Sequence, residues 1–458
     1  MGDIAIKPIT HHVEDQLAQP EHLSQEHQTY LLQRHGRVDL VPLPSNDPLD
    51  PLNWPAWKKN INLALVAFHG LVSTGGAVAV VPAFETWTIQ FQVSMDIASY
   101  LGSAQASIPQ MSSNRSAQSY GALMALRILQ ALFISPGIAM GQAVVAESFF
   151  AHERGQKMGI WALLITLGPP VGPFIMGFVI QHLDWRWMFW IMAIINFSQF
   201  LAYLVLSPET LYDRDPTVQT RPSRYFGFRR IIPGPLTKQE FLLPFRLLGD
   251  MRVLLPTIAY AIVFNFTLVL MTVEIPAFFT ELFHLSPQQI GINFLGLLVG
   301  CSLGEVVGGP LSDFWQHKLS NCELNSHPPP ERRLWLSYPG FILTTVGIAI
   351  FCVTLDEATP LHWTIKPIIG IAIGGFGVQI VTTICITYCS DCHPEIRSSA
   401  LGVAINFVRC TWGFIGPFWF PYMFDSCGLR GSVGLMAGII VVFSILPVAV
   451  VQFVGGRG

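Results

Sequence analysis

Four ionisable residues stand inside long apolar stretches of this 458-residue sequence: Arg127, Glu274, Glu305 and Arg409. An ion held in hydrocarbon costs about 2.5–3.5 kcal/mol on insertion scales, so each needs a partner, water or a task. A carboxyl among apolar groups can take up and release a proton near neutrality, which makes Glu305 and Glu274 candidates for proton coupling. Arg409 either joins that chemistry or locks helices together by donating to neighbouring carbonyls. Tyr260, Asn265, Asn293, Gln379, Thr382, Asn406 and Trp412 lie in the same stretches and could line a cavity for an amphiphilic ligand. Interhelical hydrogen bonds account equally for many residues of this kind.

Other chemistries lack support. Cys389-Ser-Asp-Cys392-His393 spells a haem-attachment pattern, but it falls at the end of an apolar stretch with no evident axial partner. As a zinc half-site it has no second pair. There is no phosphate-cradling Walker loop and no G-x-S-x-G, so ATP-driven pumping and serine hydrolysis are not indicated. No metal and no cofactor is expected, and few His or Asp residues lie in the apolar stretches to serve an enzyme. A net charge of −3 gives no sign of a nucleic-acid partner.

The elements that position these residues follow from hydropathy. The chain is 51% apolar and 12% charged, with 32 Phe, 12 Trp and a mean hydropathy of +0.47. A soluble domain carries about 25% charged residues. Ten stretches are long and apolar enough to span lipid: 60–83, 120–146, 159–181, 186–207, 253–279, 288–311, 333–355, 362–388, 399–424 and 432–454. In hydrocarbon the backbone must bond to itself, so each is read as a helix. The start is polar and acidic, without the basic-then-apolar order of a cleaved signal, and Ile6 argues against myristoylation of Gly2. All eight cysteines lie after residue 300, unlike a secreted disulfide scaffold.

Lys and Arg set the orientation. With both termini cytoplasmic, 20 of the 26 fall on the cytoplasmic side and four outside, leaving Arg127 and Arg409 in the membrane. The basic segment 208–252 then becomes a cytoplasmic linker. Residues 97–111 are uncharged but short, and parity makes them a non-spanning or re-entrant piece. Asn114-Arg-Ser is a glycosylation sequon on the outer side of this topology; Asn196 and Asn265 head sequons within spans.

The two halves repeat one pattern. HERGQKMG (152–159) precedes a span containing VGPF, and HPEIRSSALG (393–402) precedes a span containing IGPF. Arg154 to Pro173 is 19 residues and Arg397 to Pro417 is 20. Asn60 to Arg154 is 94 residues, whereas Leu254 to Arg397 is 143, so the first half is 49 residues short. The shortfall falls between residues 97 and 119. A duplicated bundle with a site between its halves is a carrier plan.

DPLDPLNWPAWKKN, ALRILQALFISPGIAMG, WALLITLGPPVGPFIMG, DWRWMFWI, SPETLY, GEVVGGPLSDFW and NFVRCTWGFIGPFWFP together resemble the fungal drug:proton antiporter branch of the major facilitator superfamily. The resemblance runs from residue 47 to 455. It implies an all-α polytopic fold of two helical lobes, here with ten full spans and a short remnant, since part of the second family helix and all of the third are replaced by ASIPQMSSNRSAQS. It also implies proton coupling at Arg127, in Arg127-Ile-Leu-Gln130-Ala131. Gly168, Pro169, Gly172, Pro173 and Gly177 match the antiporter motif. Small residues there let backbones approach, and proline removes a helix bond so that the helix can bend and rock. Asp313, which ends a span, would form a cytoplasmic latch with the Arg397 loop, and Glu153–Arg154 match it in the first half.

The sequence therefore predicts a cytoplasmic tail (1–59), an incomplete helix bundle (60–207), a linker (208–252) and a six-helix bundle (253–455). The predicted activity is proton-coupled export of a small organic molecule by alternating access, in the plasma or vacuolar membrane, by a monomer. A truncated non-transporting isoform, a membrane sensor and a proton-coupled uptake symporter are the alternatives.

Overall fold

The computed structural model describes residues 24–38, 40, 42–92, 121, 141–210, 212, 238–322, 330–392 and 398–455. Within them eight helical stretches are long and apolar enough to cross a membrane. One of the eight, Ala400–Phe453, contains two passes, because Gly428 interrupts it at φ 67° and ψ 171°. A positive φ is cheap only without a Cβ, which is why a glycine makes this corner. The expected span 120–146 lies mostly outside the described residues, as do Arg127, Arg397, the stretch 97–119 and most of the linker; residues 141–148 are helical.

A short amphipathic helix, α1 (Gln25–His35), begins at the Ser24 cap and ends at Gly36, whose φ is 70°. Residues 42–55 run as a strap to the first membrane helix, α2 (Ala56–Val78). Asn53 organises the strap: its amide donates to the Ser45 and Asp47 carbonyls at 2.7 and 2.8 Å, its Oδ1 lies 2.9 Å from the His35 ring, and its carbonyl accepts from Arg34. Leu31, Leu40 and Leu52 close over Phe150. Ser45 and Asp47 meet the Tyr212 hydroxyl at 3.3 and 3.1 Å, and burial raises that phenol above its ordinary range. The strap thus joins the start of α2 to the chain at 150 and at 212. This end of the molecule is called the tail face below; the opposite end is the far face.

The first span outruns its expected end at residue 83. A 3-10 turn (Val81–Ala83) carries α2 into α3 (Phe84–Phe91), where Trp87 packs edge-on against Trp185, and Gln90 accepts from the Trp185 indole at 2.8 Å. Next come α4 (Ala151–His182) and α5 (Arg186–Leu206). Helix α4 starts earlier than the sequence suggested. Glu153 and Arg154 belong to its first turn, not to a preceding loop. No proline falls between 151 and 168, and an acid in the first turn suits the helix dipole.

After α6 (Lys238–Leu247), six passes follow. The first is α7 (Met251–Phe264), a π-helical turn (Asn265–Val269) and α8 (Leu270–Phe283). The second is α9 (Pro287–Asn293) with α10 (Leu295–Cys322). Then come α11 (Ser337–Asp356), α12 (Lys366–Cys392), α13 (Ser398–Ile440, bent at Gly428), a second π turn (Val441–Ile445) and α14 (Leu446–Gly455). Helix α12 is gripped on two sides by glycines. A Cβ at Gly304 of α10 would lie 2.7 Å from the Phe376 carbonyl, and one at Gly370 would lie 2.7 Å from the Phe351 nitrogen of α11. Backbones this close make α10, α11 and α12 one slab.

Candidate functional site

The antiporter-like motif sits at two close helix–helix approaches. Gly168 and Gly172 are one turn apart on α4 and face α2: a Cβ at Gly75 would stand 2.9 Å from the Gly168 carbonyl, and one at Gly172 would collide with Gly75. Gly177 is nine residues beyond Gly168, two and a half turns, and so points the opposite way. It faces α9, where a Cβ would meet the Pro287 carbonyl at 2.6 Å and Gly291 Cα at 3.1 Å. Pro169, Pro170 and Pro173 lie inside α4, and each removes a backbone donor. Helix α4 is thereby wedged between the first-half helix α2 and the second-half helix α9. The motif residues were legible in the sequence; their partner Gly291 was not, though the nine-residue spacing holds the signal.

Toward the tail face the two halves meet again, at Glu305. The Gln379 amide donates to Glu305 Oε2 at 2.6 Å and the Thr383 hydroxyl donates to the same oxygen at 2.9 Å. These two donors come from successive turns of α12. The other oxygen, Oε1, faces α4: a Cβ at Gly159 would lie 3.4 Å from it. Thr383 has a second acceptor, the Gln379 carbonyl, at 3.1 Å. Its single proton can serve only one of the two. Thr383 and Gly159 were not singled out in the sequence, because partners 78 and 146 residues away leave no local trace.

Glu274 is buried on α8 toward the far face. Arg409 is buried on the first limb of α13; its Nη1 lies 3.4 Å from the Tyr260 hydroxyl, and its guanidinium lies over the Phe264 ring at 4.9 Å. Tyr260 and Phe264 are one turn apart on α7. The Thr382 hydroxyl also reaches Tyr260. Asn265 is buried in the π turn against Gly416. Asn406 is half-buried, and Trp412 is exposed. Asn293 donates within its own helix to Gln289. The structure therefore brings Tyr260, Thr382 and Arg409 together, joins Gln379 to Glu305, and leaves Trp412 at the surface, not against Tyr260.

At the tail face, Asp313 directly follows the apolar span Pro287–Ser312, and α10 continues past it to Cys322, since no helix breaker follows Pro310 until that point. The Asp313 side chain lies outside the described residues. A neighbouring latch, not foreseen, is built on Arg333, which donates to Ser312 of α10 at 2.7 Å and pairs with Asp391 of α12 at 3.1 Å. The halves also touch here between Gln142 and Gly402, where a Cβ on Gly402 would occupy the carboxamide's place. Arg154 donates to the Ala146 carbonyl at 3.0 Å. Cys389 and Cys392 are free thiols, and among the described residues no group of His, Cys, Asp and Glu is placed to hold a metal.

Comparison with known proteins adds the following. The family model described as Major Facilitator Superfamily matches residues 54–417. A "Probable efflux pump mfs2" of Aspergillus flavus is 28% identical over 339 residues, covering 70% of this chain and 77% of that protein. An "MFS-type transporter atr4" of Stereocaulon alpinum is 27% identical over 442 residues, covering 86% and 77%. Among solved structures, a bacterial homologue of the human lysosomal transporter Spinster, in an inward-facing and unoccupied conformation, superposes with a TM-score of 0.55. It is 13% identical, with 88% of this chain and 98% of that one covered, which is a likeness of fold.

Proposed function

This chain belongs to the major facilitator superfamily, and we propose that within it the protein is a proton-driven exporter of small organic molecules. It is an integral multi-pass membrane transporter of that family; export, proton coupling and the site residues are our reading. The names of the fungal relatives support export. The carboxyl of Glu305 supports proton coupling. It stands in a membrane pass, takes two donors from α12 and turns its free oxygen to α4 of the other half.

The proposed cycle uses those contacts. With Glu305 ionised, the Thr383 hydroxyl donates a hydrogen bond to the carboxylate, and the Gln379 amide donates the second. On protonation, Glu305 no longer needs both donors, and Thr383 turns to the Gln379 carbonyl. The carboxyl oxygen that faces Gly159 changes charge in the same event, so the fit of α4 on α10 changes with proton uptake. Motion of α4 is eased by its three prolines, and the two halves (60–207 and 253–455) rock about the α4–α9 contact. Arg127 and Glu274 are the further proton-coupling candidates; Asp313 and Arg397, with Glu153 and Arg154, would gate the tail face. The Lys and Arg asymmetry supports a cytoplasmic tail face, in a monomer of the plasma membrane or the vacuolar membrane.

A second reading rests on the 49-residue shortfall of the first half: a shortened chain that keeps the fold without transport. One experiment decides between them. The chain is reconstituted in liposomes under a pH gradient, and movement of rhodamine 6G, Nile red and carboxyfluorescein is followed beside internal pH, for the parent and Glu305→Gln. The exporter reading expects probe movement coupled to proton flux in the parent and loss of that coupling in the variant. No movement of any probe by the folded parent establishes the second reading. Undiminished coupling in Glu305→Gln removes Glu305 from the mechanism.

A further inference from the structure

Two guanidinium groups are buried to nearly the same degree in the second half, and they are treated differently. Arg333, 9% exposed, is paired with Asp391 and bonded to Ser312. Arg409, 8% exposed, has no carboxylate within ion-pair distance among the described residues. Its hydrogen bond to Tyr260 is long at 3.4 Å, its other polar neighbour is the Cys410 thiol, and its Nε is buried without a partner. A guanidinium has five donors in a planar fork. Among the described residues Arg409 also makes no bond to a backbone carbonyl, so the helix-locking role does not account for it. A desolvated, unpaired cation is among the costliest groups a membrane protein can hold. It is rational where its counter-ion arrives from outside.

We propose that Arg409, with Tyr260 and Phe264, is the recognition site for the charged group of the transported molecule, and that this molecule is an organic anion bearing a carboxylate or an ionised enol. The proposal rests on the exporter reading given above and adds the substrate class. Phe264 covers the guanidinium, which leaves its donor edge for a flat two-oxygen group. Tyr260 adds a hydroxyl beside the same edge. Asn406, half-buried three residues before Arg409 on the same helical face, offers an amide to the rest of the ligand. Arg409 lies about 16 Å along α13 from its tail-face end, at the depth of a mid-membrane site.

The test compares 5-carboxyfluorescein with its carboxamide and with rhodamine 6G on the full chain in detergent and in liposomes. Expected are a rise in melting temperature with 5-carboxyfluorescein that the carboxamide does not give, and preferential transport of the carboxylate. Arg409→Gln is expected to lower the ratio of carboxyfluorescein to rhodamine 6G transport about tenfold or more, with Arg409→Lys intermediate. Tyr260→Phe should weaken the same ligand more mildly, and it supplies the second variant should Arg409→Gln not fold. Equal binding of carboxylate and carboxamide by the parent, or an unchanged preference in Arg409→Gln, overturns the proposal. Chloride displacing the dye at equal concentration also overturns it, since the site would then hold any small anion. If rhodamine moves with proton coupling and carboxylates gain nothing, the exporter stands and only this inference falls. If no probe moves, the binding measurement still tests the site.

Discussion

A single methyl group at Gly177 should force the two halves apart at the far face. In Gly177→Ala the new Cβ would lie 2.6 Å from the Pro287 carbonyl and 3.1 Å from Gly291 Cα, against the 3.4 Å at which ordinary contact begins. The obstructing atoms are backbone, so no rotamer change relieves them. Helices α4 and α9 must separate by about 0.8 Å, and overpacking of this kind costs about 1–3 kcal/mol. That cost falls only on conformers in which α4 touches α9, so the balance should move away from them by about 5- to 150-fold. Spin labels at positions 182 and 284, at the far ends of α4 and α8, would report the shift as a longer distance population. Gly438→Ala is the control, because nothing lies within 4 Å of a Cβ there. A distance distribution unchanged in Gly177→Ala, or changed equally in Gly438→Ala, would refute the wedge.

Two further substitutions probe the tail face. Gly402→Leu must evict the Gln142 carboxamide; a cysteine placed beside it at position 143 should then label faster with an impermeant maleimide, and an unchanged rate would mean that this contact does not hold the halves. Asn53→Ala removes two donors and one acceptor from the strap, a loss of about 1–3 kcal/mol for each buried group left unpaired. Trypsin should cut at Arg34 and Arg37 several-fold faster, whereas a parental cleavage rate would show that the leucine cluster over Phe150 suffices alone.

Hydropathy made the passes legible because lipid imposes one rule on every residue of a span. The ends were less legible. Helix α4 begins at Ala151, since charges at 153–157 read as loop in sequence but suit a helix start at an interface. The π turns at 265–269 and 441–445 contain no proline or glycine and so carried no warning. The site was legible as a set of residue types and not as a set of pairs. Glu305 was visible as an acid in apolar sequence, but its donors arrive from another helix. Arg409 was visible too, whereas the absence of an acid beside it among the described residues is a property of packing. Trp412, by its composition a cavity residue, faces outward because it lies three residues beyond Arg409 on an exposed stripe of α13.

The clasp between Ser45, Asp47 and Tyr212 spans 165–167 positions along the chain. Residues made first must therefore wait for residues made much later, because a contact of such separation cannot form until its second partner has been synthesised. Seating of the amino-terminal strap becomes a signal that the whole first set of helices has been threaded. A polypeptide halted before Tyr212 would lack this clasp while every partner of Asn53 and the leucine cluster over Phe150 had already been made.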